Sequence, residues 1–364
     1  MLDSAHSGAC RPSTSLRNTA LAVVLWSLAV GAAAHSSSPR PAQAASRLAD
    51  RITEFRIPRA GAFPHDPALA PDGIVWYTDQ ANSFIGRLDP ATGMFTDVAT
   101  PTPKSGPHGI TVAADGQVWY TANAVGKIGR LDPASSKITE FPLPADVTDP
   151  HTLIVQQGKV WFTAQQSNQI GVLDPASGKV MMHRVATPHA LPYGLVPAPD
   201  GTLWVALFGT NKLAHVTPTG FKVDEIALPD AGTRPRRLVV DPEGIVWYTD
   251  YARSKLGRYD PKTKETKEWP SPSPNDGPYG VALGADGRVW YDESRAGLLV
   301  GFDRETAKMD TVRIPTVGAI VRNMASDPKR GAIWLALSGT GRIGRLDLGK
   351  AAAERGGAKT IDVK

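Results

Sequence analysis

Three of the six histidines that follow residue 44, His65, His108 and His151, stand 43 residues apart. Continued at 42 or 43 residues, the same series runs on through Tyr193, Arg236, Tyr279 and Arg322. Imidazoles delivered by neighbouring copies of a repeat, with carboxylates close by, could hold a divalent metal. A neutral imidazole in such a place could also take a proton. The structural alternative is a turn histidine bonded to a neighbouring backbone carbonyl, and the sequence leaves both readings open. Carboxylates recur too: Asp79, Asp250 and Glu293 each stand three residues after a tryptophan, and Asp149 stands two before His151. The resulting metal-ligand candidates are His65, Asp79, His108, Asp149 and His151, with His108 or His151 as the base. Tyr193, Arg236, Tyr279 and Arg322 are the candidate ligand contacts, and the arginines at 234, 236, 237 and 322 are expected to be a solvated basic patch.

The elements that must position these residues follow from the tryptophans. Trp76, Trp119, Trp161, Trp204, Trp247, Trp290 and Trp334 recur at intervals of 42 to 44 residues. Around Trp119 the unit PHGITVAADGQVWYTANAVGKIGRLDP reads as strand a (Gly109–Ala113), an Asp115-Gly116 turn, strand b (Val118–Thr121) and strand c (Lys127–Leu131). Lys137–Pro142 then supplies strand d. Asp-Gly between apolar runs signals a hairpin because glycine accepts positive φ without strain. Strand b is apolar at consecutive positions, as in Ile245-Val246-Trp247-Tyr248, so both of its faces must be covered. Seven such units imply an all-β chain, a seven-bladed β-propeller of four-stranded antiparallel blades over residues 52–349. The hairpin geometry puts the start of strand a, the end of strand b and the d-to-a loop on one rim, where the histidine series lies. Ring closure is expected from Ile52–Pro58, a d-type strand, in competition with Thr360–Lys364 in the tail 350–364.

The chain has 364 residues, 41% of them apolar and 21% charged, which suits a globular repeat array. Residues 1–44 differ in kind: Arg11 and Arg17 precede the apolar run Ala20–Ala34, and Ala42-Gln43-Ala44 offers a cleavage site. A signal peptide is expected, and with it a periplasmic or secreted protein that has no membrane anchor after cleavage and acts as a monomer. The only cysteine, Cys10, falls within that leader, which leaves no disulfide, thiol nucleophile or iron–sulfur cluster. Cleavage lowers the formal charge from +5 to +3, and no basic run with interleaved aromatics suggests nucleic acid. Haem and nucleotide motifs are absent. A small-molecule or peptide ligand at the rim is the expected partner.

The repeat at 107–133 resembles the virginiamycin B (streptogramin B) lyase family, whose units read close to G-P-x-G-I-x-x-x-x-D-G-x-V-W-F-T-E-x-x-x-N-K-I-G-R. Gly277–Gly287 with Val289-Trp290, Ile85-Gly86-Arg87 and Ile343-Gly344-Arg345 repeat the likeness. The resemblance implies a propeller and a magnesium-assisted carbon–oxygen lyase that opens a cyclic ester by elimination. Such a reaction needs a base for an acidic Cα proton and a cation for the developing enolate. The family's pattern has a histidine opening the penultimate blade, Glu-x-His opening the last, and a glutamate after the last Trp-x-Thr. In register this chain has Tyr279, then Ile320 and Arg322, then Leu337, and none of them matches. Rotated round the ring, His108 with Asp149-Pro150-His151 gives a partial match, and His65 with Asp79 gives another. A non-catalytic module that binds a peptide, glycan or protein is therefore the alternative function.

Overall fold

Strand b carries the residues that decide the architecture. Its tryptophan and the aromatic after it are too large to face solvent on either side, and the structure, a computed structural model that describes residues 51–349, covers both faces. Trp119 is 4% exposed and Tyr120 is fully buried, and the other six tryptophans of the series are equally enclosed. Seven four-stranded antiparallel sheets result. The second blade holds β6 (Pro107–Val112), β7 (Val118–Ala122), β8 (Lys127–Asp132) and β9 (Lys137–Pro142) in that spatial order. The apolar clusters lie between blades rather than within them. One joins Trp119 of the second blade to Leu153, Val160 and Phe162 of the third.

The recurring Ile-Gly-Arg of strand c has a steric cause. A Cβ on Gly129 would lie 2.1 Å from the Tyr120 ring, so the aromatic of strand b packs flat only over a glycine. The ring closes through β1 (Ile52–Arg56), which pairs antiparallel with β28 (Arg342–Asp347) as the outer strand of the seventh blade. Glu54 on β1 accepts hydrogen bonds from Thr316, its backbone N–H at 3.1 Å, and so ties the amino-terminal strand to the loop leaving the sixth blade. The leader 1–44 and the tail 350–364 lie outside the described residues. Among the described residues no helix is long and apolar enough to cross a membrane.

One local irregularity positions the site. In six of the blades strand a carries a bulge, where the register slips between Pro107 and Ile110, Pro150 and Leu153, and equivalent pairs. Two residues of strand a then oppose one of strand b. The N–H thereby left out of the ladder needs an acceptor, and the threonine of Trp-Tyr-Thr supplies it. Thr121 Oγ1 accepts from Gly109 N–H at 2.8 Å and donates to the His151 carbonyl of the next blade at 2.9 Å. Thr78, Thr163 and Thr249 make the same double bond, to the carbonyls of His108, Tyr193 and Tyr279. Each such bond contributes about 1 kcal/mol and fixes one blade against the next.

Candidate functional site

The bulges turn two consecutive side chains of strand a toward the ring's centre, and these form two layers. The outer layer is the series seen in the sequence. His65 and His108 have ring centroids 3.9 Å apart, His108 and His151 3.8 Å, and His151 and Tyr193 3.8 Å. The Tyr193 and Tyr279 hydroxyls share a hydrogen bond, and the His65 ring meets Tyr279 edge-on at 6.4 Å. All five side chains are buried, with the three histidines no more than 4% exposed. Burial pushes the basicity of each imidazole down, most strongly for His108 and His151, so these two are neutral at pH 7. They pack as an aromatic plug.

The inner layer is polar. Arg237 spans the channel to Asp66, donating at 3.0 and 3.1 Å, and its other terminal nitrogen donates to Thr152 Oγ1 at 3.2 Å. Asn323 donates to the other oxygen of Asp66 at 3.0 Å, and His65 Nδ1 lies 2.9 Å from its first. Blades 1, 3, 5 and 7 are thereby tied across the ring. The guanidinium of Arg237 holds the Asp66 carboxyl well below the usual carboxylate range despite complete burial. Arg237 is 5% exposed, which corrects the expectation of a solvated arginine: the bulge aims it inward, where Asp66 neutralises it.

The expected metal set is not gathered. Asp79 points outward, ion-paired with Arg59 at 2.5 Å and accepting Phe63 N–H at 3.1 Å, so it braces the blade corner away from the histidines. Asp149 takes its hydrogen bond from Asn123, while His151 Nδ1 meets Thr152 Oγ1 at 3.2 Å, so Asp149 does not orient His151. Among the described residues only His65, Asp66 and His108 bring ligand atoms within 4.8 Å of one another. Magnesium takes oxygen ligands in an octahedron. This group offers one carboxylate, already committed to Arg237, and the residues present do not fit that ion.

A different pocket, of about 390 Å³, opens on the same rim across blades 5, 6 and 7. Arg236, Tyr279 and Arg322 line it, with Tyr193 behind, so four of the candidate contacts meet here. Arg236 is far from solvated. Its guanidinium lies 3.9 Å from the Tyr279 ring centroid, 4.3 Å from Tyr251 and 5.0 Å from both Tyr193 and Phe208. It donates to the Tyr193 hydroxyl at 3.1 Å, and its Nε has no partner among the described residues. Arg322 donates to Ser338 Oγ at 3.2 Å and lies over Phe63. Among the described residues neither guanidinium pairs with a carboxylate.

The pocket also contains a residue that reading the sequence passed over. Asp292 occupies the place of the bridging threonine in blade 6. It accepts the N–H groups of Tyr279, at 3.1 Å, and Gly280, and the hydroxyl of Ser294, so it has no hydrogen to offer the next blade's carbonyl when ionised. Complete burial pushes its pKa up to about 6. The signal was present in the repeat: the second residue after each tryptophan is Thr, Thr, Thr, Ala, Thr, Asp, Ala, with one charge in the column.

A family model for the virginiamycin B lyases matches residues 43–209 and again 178–355. The chain belongs to the virginiamycin B lyase family. Among solved structures, one described as a streptogramin B lyase superposes with a TM-score of 0.76 at 26% identity, covering 82% of this chain and 97% of that one. The virginiamycin B lyase from Staphylococcus aureus gives 0.76 at 24% identity over 82% and 99% of the two chains. A hydrazine synthase chain from Kuenenia stuttgartiensis shares the fold alone, with a TM-score of 0.69 at 13% identity over 80% of this chain and 97% of that one. A comparison with curated proteins gives no match.

Proposed function

We propose that this member of the virginiamycin B lyase family is a ligand-binding propeller, exported as its leader suggests, which captures a small molecule or peptide through an anionic group at the blade 5–7 rim. One observation carries the reading: Arg236 and Arg322 line a single pocket, and among the described residues no carboxylate pairs with either. A guanidinium left without a counter-ion among four aromatic rings is ready for a carboxylate or phosphate, whose two oxygens match its planar fork.

A magnesium-assisted elimination would require a base within reach of a substrate proton and an oxygen-rich cation site. His108 and His151 are stacked inside the plug, and the pocket's Asp276 and Asp292 spend their oxygens on backbone N–H groups and Ser294. The binding reading therefore has the stronger support. Its test is calorimetric titration with simple carboxylate and phosphate probes, against wild type and the single variants Arg236→Gln and Arg322→Gln. Binding that weakens at least tenfold in each variant and falls with added salt is expected. Binding that survives both substitutions refutes the proposal, as does conversion of a cyclic depsipeptide to a product of altered chromatographic retention.

A further inference from the structure

We infer that the ligand of this pocket is a monocarboxylate carrying an aliphatic side chain next to the carboxyl group, of the kind found at the end of a peptide or in an N-acylated amino acid. The inference rests on the anion-binding reading above and narrows it by two independent features.

The first is charge. Arg236, Arg295 and Arg322 line the pocket together with Asp276 and Asp292, which leaves one positive charge to be met. A carboxylate meets it. A phosphate dianion would bring a second negative charge beside two carboxylates that are already held by backbone N–H groups and cannot turn away. The volume, about 390 Å³, suits one or two amino-acid units rather than a large head group.

The second is an apolar lip. The loop from blade 6 to blade 7 carries Val317, 94% exposed, and Ile320, 42% exposed, two of four large exposed hydrophobics among the described residues. Gly318 and Ile320 of that loop line the pocket itself, so an aliphatic group beside a carboxylate seated on Arg322 would be next to this lip. Loop residues so exposed gain nothing for folding from being apolar, whereas burial under a ligand would recover part of that area.

The experiment is a titration with four probes: N-acetyl-leucine, N-acetyl-alanine, N-acetyl-leucinamide and inorganic phosphate. Wild type is compared with the double variant Val317→Ser and Ile320→Ser, whose exposed positions leave folding intact. N-acetyl-leucine should bind about tenfold more tightly than N-acetyl-alanine, and both far more tightly than the amide. The double variant should bind N-acetyl-leucine no more tightly than N-acetyl-alanine. Equal affinities for the two amino acids, or a preference that persists in the double variant, overturn the aliphatic assignment while the anion reading stands. Phosphate binding more tightly than N-acetyl-leucine overturns the monocarboxylate assignment in the same way. Absence of binding by every probe overturns both, whereas self-association of wild type through the lip, abolished in the double variant, overturns the aliphatic assignment alone.

Discussion

The stacked imidazoles make stability depend on pH in a way that can be worked out. His108 and His151 are fully buried, and burial together with neighbouring positive charge depresses their basicity well below the ordinary value of 6.5. In the unfolded chain they titrate near 6.5, so below that pH the unfolded state binds protons that the native state refuses. Stability from this source is present above pH 6.5 and is lost as the pH falls. Between pH 7.5 and 5.5 each neutral histidine costs about 1.4 kcal/mol, and the two together about 2.7 kcal/mol. Asp292 works in the opposite direction. Its pKa is raised to about 6, so the native state takes up a proton first, which returns about 0.8 kcal/mol over the same interval. The net loss from these three groups is about 2 kcal/mol, with a smaller addition from His65, whose depression the Asp66 carboxylate opposes, and a further offset from Asp149 and Glu293, whose carboxyls burial also raises. Urea unfolding followed by tryptophan fluorescence at the two pH values measures it. His108→Phe keeps a ring in the stack and removes the titration, so its loss should be smaller than that of wild type by about 1.4 kcal/mol. Equal losses in wild type and variant would refute the assignment of buried neutral imidazoles.

Three further outcomes follow from the same geometry. Asp66→Ala leaves Arg237 buried without its partner and should cost about 3–5 kcal/mol by urea unfolding, whereas Asp66→Leu combined with Arg237→Met should recover most of that loss. Asp292→Thr replaces a carboxylate whose raised pKa opposes ionisation, and should stabilise by about 3 kcal/mol at pH 7.5 but only about 1 kcal/mol at pH 4.5. Chelation of divalent metal should leave both the unfolding midpoint and carboxylate binding unchanged, and stoichiometric magnesium in elemental analysis of the purified protein would contradict the donor-set argument.

The propeller was legible because its determinants are local and repeated. Trp119, the Asp115-Gly116 turn and Ile128-Gly129-Arg130 each specify one element of a blade, and the period sets the number of blades. The histidine series was visible for the same reason. What the sequence concealed depends on contacts across the ring. Asp66 and Arg237 are 171 residues apart, and only the strand-a bulge turns both inward, so each reads in isolation as an ordinary surface charge. Asp79 was grouped with the histidines because the end of strand b lies on their rim, but its side chain points away from the channel to Arg59. Arg236 looked solvated because Phe208 and Tyr251, which help to enclose it, come from the ends of the b strands of blades 4 and 5. A rim position named from the repeat fixes a Cα location and leaves the direction of the side chain open.

That distinction bears on how a lyase-family scaffold can change its task. The positions at which the family's pattern calls for histidine and glutamate in the last two blades hold Tyr279, Ile320, Arg322 and Leu337 here. On the proposed reading, phenol and guanidinium at the imidazole positions, Tyr279 and Arg322, and aliphatic groups at the acid positions, Ile320 and Leu337, would turn the rim from holding a cation to holding an anion. The same seam has Asp292 in place of the bridging threonine, so the bond that joins blade 1 to 2, 2 to 3, 3 to 4 and 5 to 6 is missing between blades 6 and 7, as it is between 4 and 5 and between 7 and 1, where Ala206 and Ala336 hold the position. Strand a of blade 6 is correspondingly short, Val281–Leu283 against six residues in the second blade. Ser294 replaces part of that link by accepting Val321 N–H at 2.8 Å. The four threonine-bridged seams hold their blades together, and the cross-channel Asp66–Arg237 pair holds blade 5 against blade 1. Of the three seams without the threonine bond, only the one between blades 6 and 7 puts a buried carboxylate in the threonine's place, and the pocket lined by Arg236 and Arg322, which have no carboxylate partner among the described residues, opens there.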